Sequence, residues 1–145
     1  MVKHLWSIVC REAIVNQENS ALSLMNIFEG FDVEVKKDSP QGTEIVLPVE
    51  YEIVTMLRKD SRSKEEKIEL RAKLFDPNDQ QVIDPIIVPI TMPKNKFNFR
   101  QKIKNFGFKI TVQGEYRFIV EIKQEGKKDF CQVAEVPINI NIKKK

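Results

Sequence analysis

Histidine is almost missing from this chain: His4 is the only one among 145 residues. That excludes a catalytic or metal centre assembled from several imidazoles, and no zinc-type His/Cys spacing is present. Cysteine is scarce too. Cys10 and Cys131 stand far apart in no metal-binding or redox spacing, so in a reducing compartment they read as small buried thiols. A disulfide between them stays geometrically open, because both fall in or beside predicted strands. EF-hand loops, P-loops, dinucleotide fingerprints and Gly-x-Ser-x-Gly elbows are all lacking. His4 and Cys10 share one face of a predicted strand, yet their spacing at about 3.3 Å per residue separates them by roughly 20 Å, and Ser7 is expected on the opposite face. The chain is therefore read as non-enzymatic, with no cofactor and no metal.

Long hydrophobic runs are absent as well. No stretch approaches the roughly 20 apolar residues of a membrane helix, and the segment from Met1 to Trp6 has none of the marks of a secretory signal. A cytoplasmic location without membrane association is the expectation. Helix signals are nearly as rare. Ser63-Lys64-Glu65-Glu66 spells a capping box, but the strict alternation that follows confines it to one turn.

What the chain has is a period of two. Ile45, Leu47, Val49, Tyr51, Ile53 and Leu57 line one face of a long predicted strand; Ile68, Leu70, Ala72 and Leu74 alternate with Glu69, Arg71 and Lys73. Tyr116, Phe118, Val120 and Ile122 repeat the pattern, as do Ala134, Val136, Ile138, Ile140 and Ile142. Successive strand side chains point to opposite faces, so such runs describe sheets with one buried face. Turn signals separate them at Asn16 to Ser20, Asp38-Ser39-Pro40-Gln41-Gly42, Asp60 to Lys67, Asp76-Pro77-Asn78-Asp79 and Gln124-Glu125-Gly126-Lys127. Pro85, Pro89 and Pro93 reduce Val82 to Met92 to an edge strand or an irregular crossing. With 41% hydrophobic and 31% charged residues, residues 1–145 read as one all-β domain of about seven to nine antiparallel strands, a sandwich or small barrel. Gly114-Glu115-Tyr116-Arg117-Phe118 spells a tyrosine corner and favours the two-sheet sandwich. Trp6, Ile8, Leu47, Tyr51, Leu70, Leu74, Phe118 and Val120 are its expected core.

The opening run Trp6 to Val15, the stretch Ser20 to Glu29, the Gly114–Phe118 corner and the Glu125-Gly126-Lys127 hairpin together resemble a family of small bacterial domains of unknown function. The resemblance implies an immunoglobulin-like sandwich. It covers about half the chain, brings no catalytic or binding residues with it, and does not extend to Asp38–Phe99.

Charge is unevenly spread despite a net value of only +3. Acids dominate from Glu12 to Glu52, against Lys36 and Lys37 alone, whereas Pro85 to Gly114 holds no acid and carries Lys94, Lys96, Arg100, Lys102, Lys104 and Lys109. These are either solvated faces of alternating strands or separate binding patches. Within the basic stretch, Lys96, Phe97, Phe99, Arg100, Lys102, Lys104, Phe106 and Phe108 interleave rings with cations, as single-stranded nucleic acid requires for stacking and phosphate contacts. Lys104-Asn105-Phe106-Gly107-Phe108 partly resembles the ribonucleoprotein motif of RNA-recognition and cold-shock domains, departing from it at Asn105 and Lys109. The competing reading places Phe97, Phe99, Ile103, Phe106 and Phe108 in the core with solvated lysines between them. Asp76, Asn78, Asp79 and Asp84 crowd one loop, which serves either calcium or a simple self-capped turn. Pro137 to Ile142, followed by Lys143-Lys144-Lys145, reads as an edge strand that either accepts a partner strand or is kept from pairing by its lysines. The functional expectation is a protein-interaction module that uses loops or a sheet edge to bind an unidentified protein partner, with nucleic-acid binding as the rival. Exposure of Phe97, Phe99, Phe106 and Phe108 on one face would favour the rival.

Overall fold

A computed structural model describes residues 1–40 and 44–145; of the expected turn at Asp38–Gly42, Gln41 and Gly42 lie outside the described residues. The alternating runs become β1 (Val2–Val15), β2 (Leu22–Ile27), β3 (Gly30–Val35), β4 (Ile45–Val46), β5 (Glu50–Lys59), β6 (Glu66–Phe75), β7 (Ile86–Met92), β8 (Asn98–Phe106), β9 (Lys109–Ile110), β10 (Gly114–Gln124) and β11 (Cys131–Lys144). That is eleven strands among the described residues, more than the seven to nine expected, because short pieces such as β4 and β9 break away at Pro48 and Gly107. They form a four-stranded sheet in the order β2-β1-β5-β8, a five-stranded sheet in the order β3-β11-β10-β6-β7, and the small β4-β9 ribbon. The pairing is not purely antiparallel: β3 runs parallel to β11, Gly30 opposite Asn139 through Val35 opposite Lys144. The capping box forms no helical turn. Ser63 instead donates its amide to Ser61 Oγ at 3.0 Å.

The inner faces of the two larger sheets share one apolar core. Tyr51 of β5 packs on Phe118 of β10, with ring centroids 5.5 Å apart, and Phe108 lies within 6.2 Å of both rings and 5.7 Å from Tyr116. Leu47, Tyr51, Leu70, Leu74, Phe118 and Val120 are buried there as their alternation requires. The tyrosine corner is built: buried Tyr116 donates its hydroxyl to the Val112 carbonyl at 2.7 Å.

Trp6 and Ile8 depart from expectation. The register between β1 and β5 slips between His4 and Trp6, leaving Leu5 as an extra residue. A bulge of one residue sends every later side chain to the other face. Val2 before it and Val9 after it therefore point into the main core, although their numbers differ in parity. Trp6 and Ile8 turn outward to a second cluster with Cys10, Ala13, Val54, Leu22 and Leu24. The pairing of β1 with β5 ends at Cys10. Beyond it the β1–β2 hairpin leans over the outer face of β5: the Ala13 amide donates to the Glu52 carboxylate at 2.7 Å, and the Ala13 carbonyl accepts from Lys102 Nζ on β8 at 3.2 Å.

The outer face of the five-stranded sheet is laced with ion pairs. Glu121 accepts from Arg71 Nε at 2.8 Å and lies 3.2 Å from Lys73, and the Arg71 guanidinium also covers the Phe130 ring. The Arg71 hydrogen bond is the main cause holding the Glu121 carboxyl below its ordinary value of 4.5, with burial opposing it and Lys73 assisting. A depressed folded pKa contributes stability above the unfolded value and loses it as pH falls through the folded one. Melting temperature should therefore drop as pH is lowered below about 4.5, and Glu121→Gln should flatten that part of the profile. An acid limb that keeps its slope in the variant would assign the loss to other carboxylates.

Candidate functional site

The basic, aromatic stretch is divided by the fold. Phe99 lies half-buried against the main core and Phe108 within it. Phe97 is half-buried beneath the guanidiniums of Arg62 and Arg58, at 4.5 and 5.4 Å. Phe106 alone is freely exposed, at 61%. Phe106 and Phe108 have the same parity and opposite fates because Gly107, at φ +62°, breaks the alternation between them. A Cβ at that position would run into the Leu47 carbonyl oxygen. The expectation that Phe106 shares the core is thus corrected, and the four rings form no common stacking surface. Of the cations, Arg100 Nη1 donates to the Ser20 carbonyl at 3.1 Å and Lys102 to Ala13, so both hold the hairpin down. Lys96 and Lys104 are exposed.

Phe106 and Lys109 do meet residues of the acidic loop. With Asp84 and Glu44 they line an open groove of about 740 Å³, in which Lys109 lies 3.3 Å from Glu44. Asp76 is buried, and its Oδ1 accepts from the amides of Asn78 and Gln80 at 2.8 and 2.9 Å. Asp79 pairs with Arg117. The loop is a self-capped turn, closed by the Asp79 amide on the Asp76 carbonyl at 3.0 Å. Among the described residues no three His, Cys, Asp or Glu side chains are grouped to hold a metal ion.

The bulge at Leu5 also corrects the placement of Ser7. His4 Nε2 lies 2.7 Å from Ser7 Oγ, which lies 2.9 Å from Thr55 Oγ1. Burial lowers the His4 pKa from 6.5, which favours a neutral ring at pH 7. Among the described residues no carboxylate orients this histidine, and buried Thr55 closes the far side of the chain of three. Cys10 faces the second cluster and Cys131 is exposed; both are free thiols, so the reading of two buried thiols holds for Cys10 alone. The C-terminal run is not an open edge either. β3 flanks Asn139–Lys144, with Lys143 and Lys145 paired to Asp32 and Glu34 at 3.1 and 2.9 Å.

The sheet edges differ in their protection. β8 presents Arg100, Lys102 and Lys104; β7 carries Pro89 and is bracketed by Pro85 and Pro93; β3 carries Asp32 and Glu34. Charges and prolines of this kind discourage further strand pairing. β2, reading Leu22-Ser23-Leu24-Met25-Asn26-Ile27, has none. Among the described residues it is bonded to β1 on one side only, and Met25 and Ile27 are exposed at 48% and 54%, beside exposed Ile14. Asn26, at φ 54°, turns the strand aside near its end, so the regular open edge is Leu22–Met25. Ala21 to Phe28 is readable as a strand, but its place at an unprotected edge is not written in its periodicity; the absence of charge across this run in a highly charged chain was the available signal.

No family model and no curated protein matches this chain. The resemblance to small bacterial domains gains no support from these comparisons, and the all-β assignment stands on backbone geometry.

Proposed function

We propose that the protein is a non-enzymatic interaction module that binds a protein partner by adding an extended segment of it to β2. The observation that carries this reading is the unprotected edge at Leu22–Met25, flanked by exposed Met25, Ile27 and Ile14 while the other edges of the two larger sheets bear charge or proline. Strand addition draws affinity from backbone hydrogen bonds along the edge and specificity from alternate side chains. The scaffold in this reading is an immunoglobulin-like sandwich, supported by the Tyr116 corner and by the rings packed between the two sheets. An apolar strip beside an open edge is the combination that interaction surfaces use and monomeric surfaces avoid.

The test uses photo-crosslinking in cells that make the protein, with a benzophenone side chain at Met25 or, as a control on the proline-guarded edge, at Ile87. A discrete adduct is expected from position 25 and not from 87, and Ile27→Lys should abolish it while changing folding stability by no more than about 0.5 kcal/mol. Equal labelling from both positions, or no adduct from either, would overturn the proposal.

A further inference from the structure

A second feature, on another part of the molecule, is a cavity of about 700 Å³ between the start of β1, the end of β10 and the start of β11. Val2, Ile122 and Val133 give it an apolar wall. Gln124 fastens one side: its Nε2 donates to the Val2 carbonyl at 2.8 Å and its Oε1 accepts from the Val2 amide at 3.1 Å, joining β10 to β1 across the gap between sheets. His4 lines the wall with Nε2 already committed to Ser7. Lys3, Lys127 and Lys128 stand at the rim, exposed, and none of them is paired with a carboxylate among the described residues. Asp129 is the one acid among the described residues of the lining.

We propose that this cavity binds an amphipathic carboxylate, a medium-chain fatty acid in its simplest form, with the hydrocarbon body between the sheets and the head among the rim lysines. Three features support it. The volume lies within the roughly 300–1,000 Å³ of small-molecule sites, and the surface facing it is mostly carbon although six of its lining residues are polar or charged, which suits a ligand with an apolar body and a charged head. The rim offers three ammonium groups against one carboxylate, so an anionic head is attracted and a cationic one repelled. The ammoniums sit on flexible stems at the mouth, where a bound head keeps some water and pays little for desolvation.

Cys131 makes occupancy measurable, because it lines the same cavity and is exposed whereas Cys10 is buried. The folded protein is alkylated with iodoacetamide, a neutral reagent, and modification of Cys131 is followed by mass. Dodecanoate at about 100 μM, below its micelle concentration, should slow the reaction about tenfold; decanol, a neutral chain soluble at this level, dodecyltrimethylammonium and acetate at the same concentration should each protect much less. Combining Lys127→Glu with Lys128→Glu, both at exposed positions, should remove most of the protection by dodecanoate without changing the melting temperature. Val133→Trp, which fills the space, should abolish protection while the circular-dichroism spectrum stays that of the parent. An alkylation rate indifferent to dodecanoate, or equal protection by the alcohol and the quaternary ammonium, would overturn the proposal, as would full protection retained in the charge-reversed protein.

Discussion

Phe118→Ala should destabilise the protein by about 3–5 kcal/mol. The side chain is 1% exposed and joins the sheets through Tyr51 at 5.5 Å and Phe108 at 6.2 Å. Truncation removes the transfer energy of a ring and opens a void that three other rings and the flanking strands cannot collapse to fill. Urea denaturation should show a lower midpoint with an unchanged slope, since the folded surface is the same. Phe106→Ala is the matched control: the same chemical change at a residue 61% exposed should cost no more than about 0.5 kcal/mol. Equal effects at the two positions would show that Gly107 does not divide the aromatic stretch between core and solvent.

Lys59→Met should lower stability by about 3 kcal/mol, for a different reason. Lys59 ends β5 on its inward face and is only 1% exposed, with Nζ donating to the carbonyls of Lys64 and Pro93, each at 2.6 Å. One ammonium thereby ties the loop after β5 to the loop before β8. Methionine keeps the unbranched apolar stem, so the packing survives while two charge-assisted bonds disappear, each worth about 1.5–3 kcal/mol, and two carbonyls are left without a donor. Hydrogen exchange should localise the damage, accelerating around residues 60–65 and 93–97 before the core strands. A melting temperature within a degree of the parent would show that water replaces the ammonium at no cost.

Where strands are regular and one face is buried, the alternation is legible residue by residue, and β6 and β10 lie as their patterns require. The tyrosine corner and the turns at Asp76 and Gln124 were readable because each depends on bonds among near neighbours. The misplacements trace to single residues that shift phase. Leu5 turns Trp6 and Ile8 out of the main core and brings Ser7 to His4; Gly107 sends Phe106 and Phe108 apart. A period of two carries no mark of a slip by one, since the residues on either side still alternate. Sheet order was illegible for another reason: pairing β3 with β11 depends on contacts over more than a hundred positions, and Asp32 and Glu34 resemble any solvated pair of acids until Lys143 and Lys145 lie beside them. Nothing in the sequence singles out Lys59, because its carbonyl partners come from two loops.

The parallel pair has a consequence in time. Hairpins such as β10–β11 close short loops and form early, whereas β3 must find residues 139–144 across nearly the whole chain, a search that slows folding. Lys143 and Lys145 place like charge along the flank of β11 that β3 joins, which disfavours its pairing with the same flank of another copy, and Asp32 and Glu34 neutralise that charge where β3 lies against it.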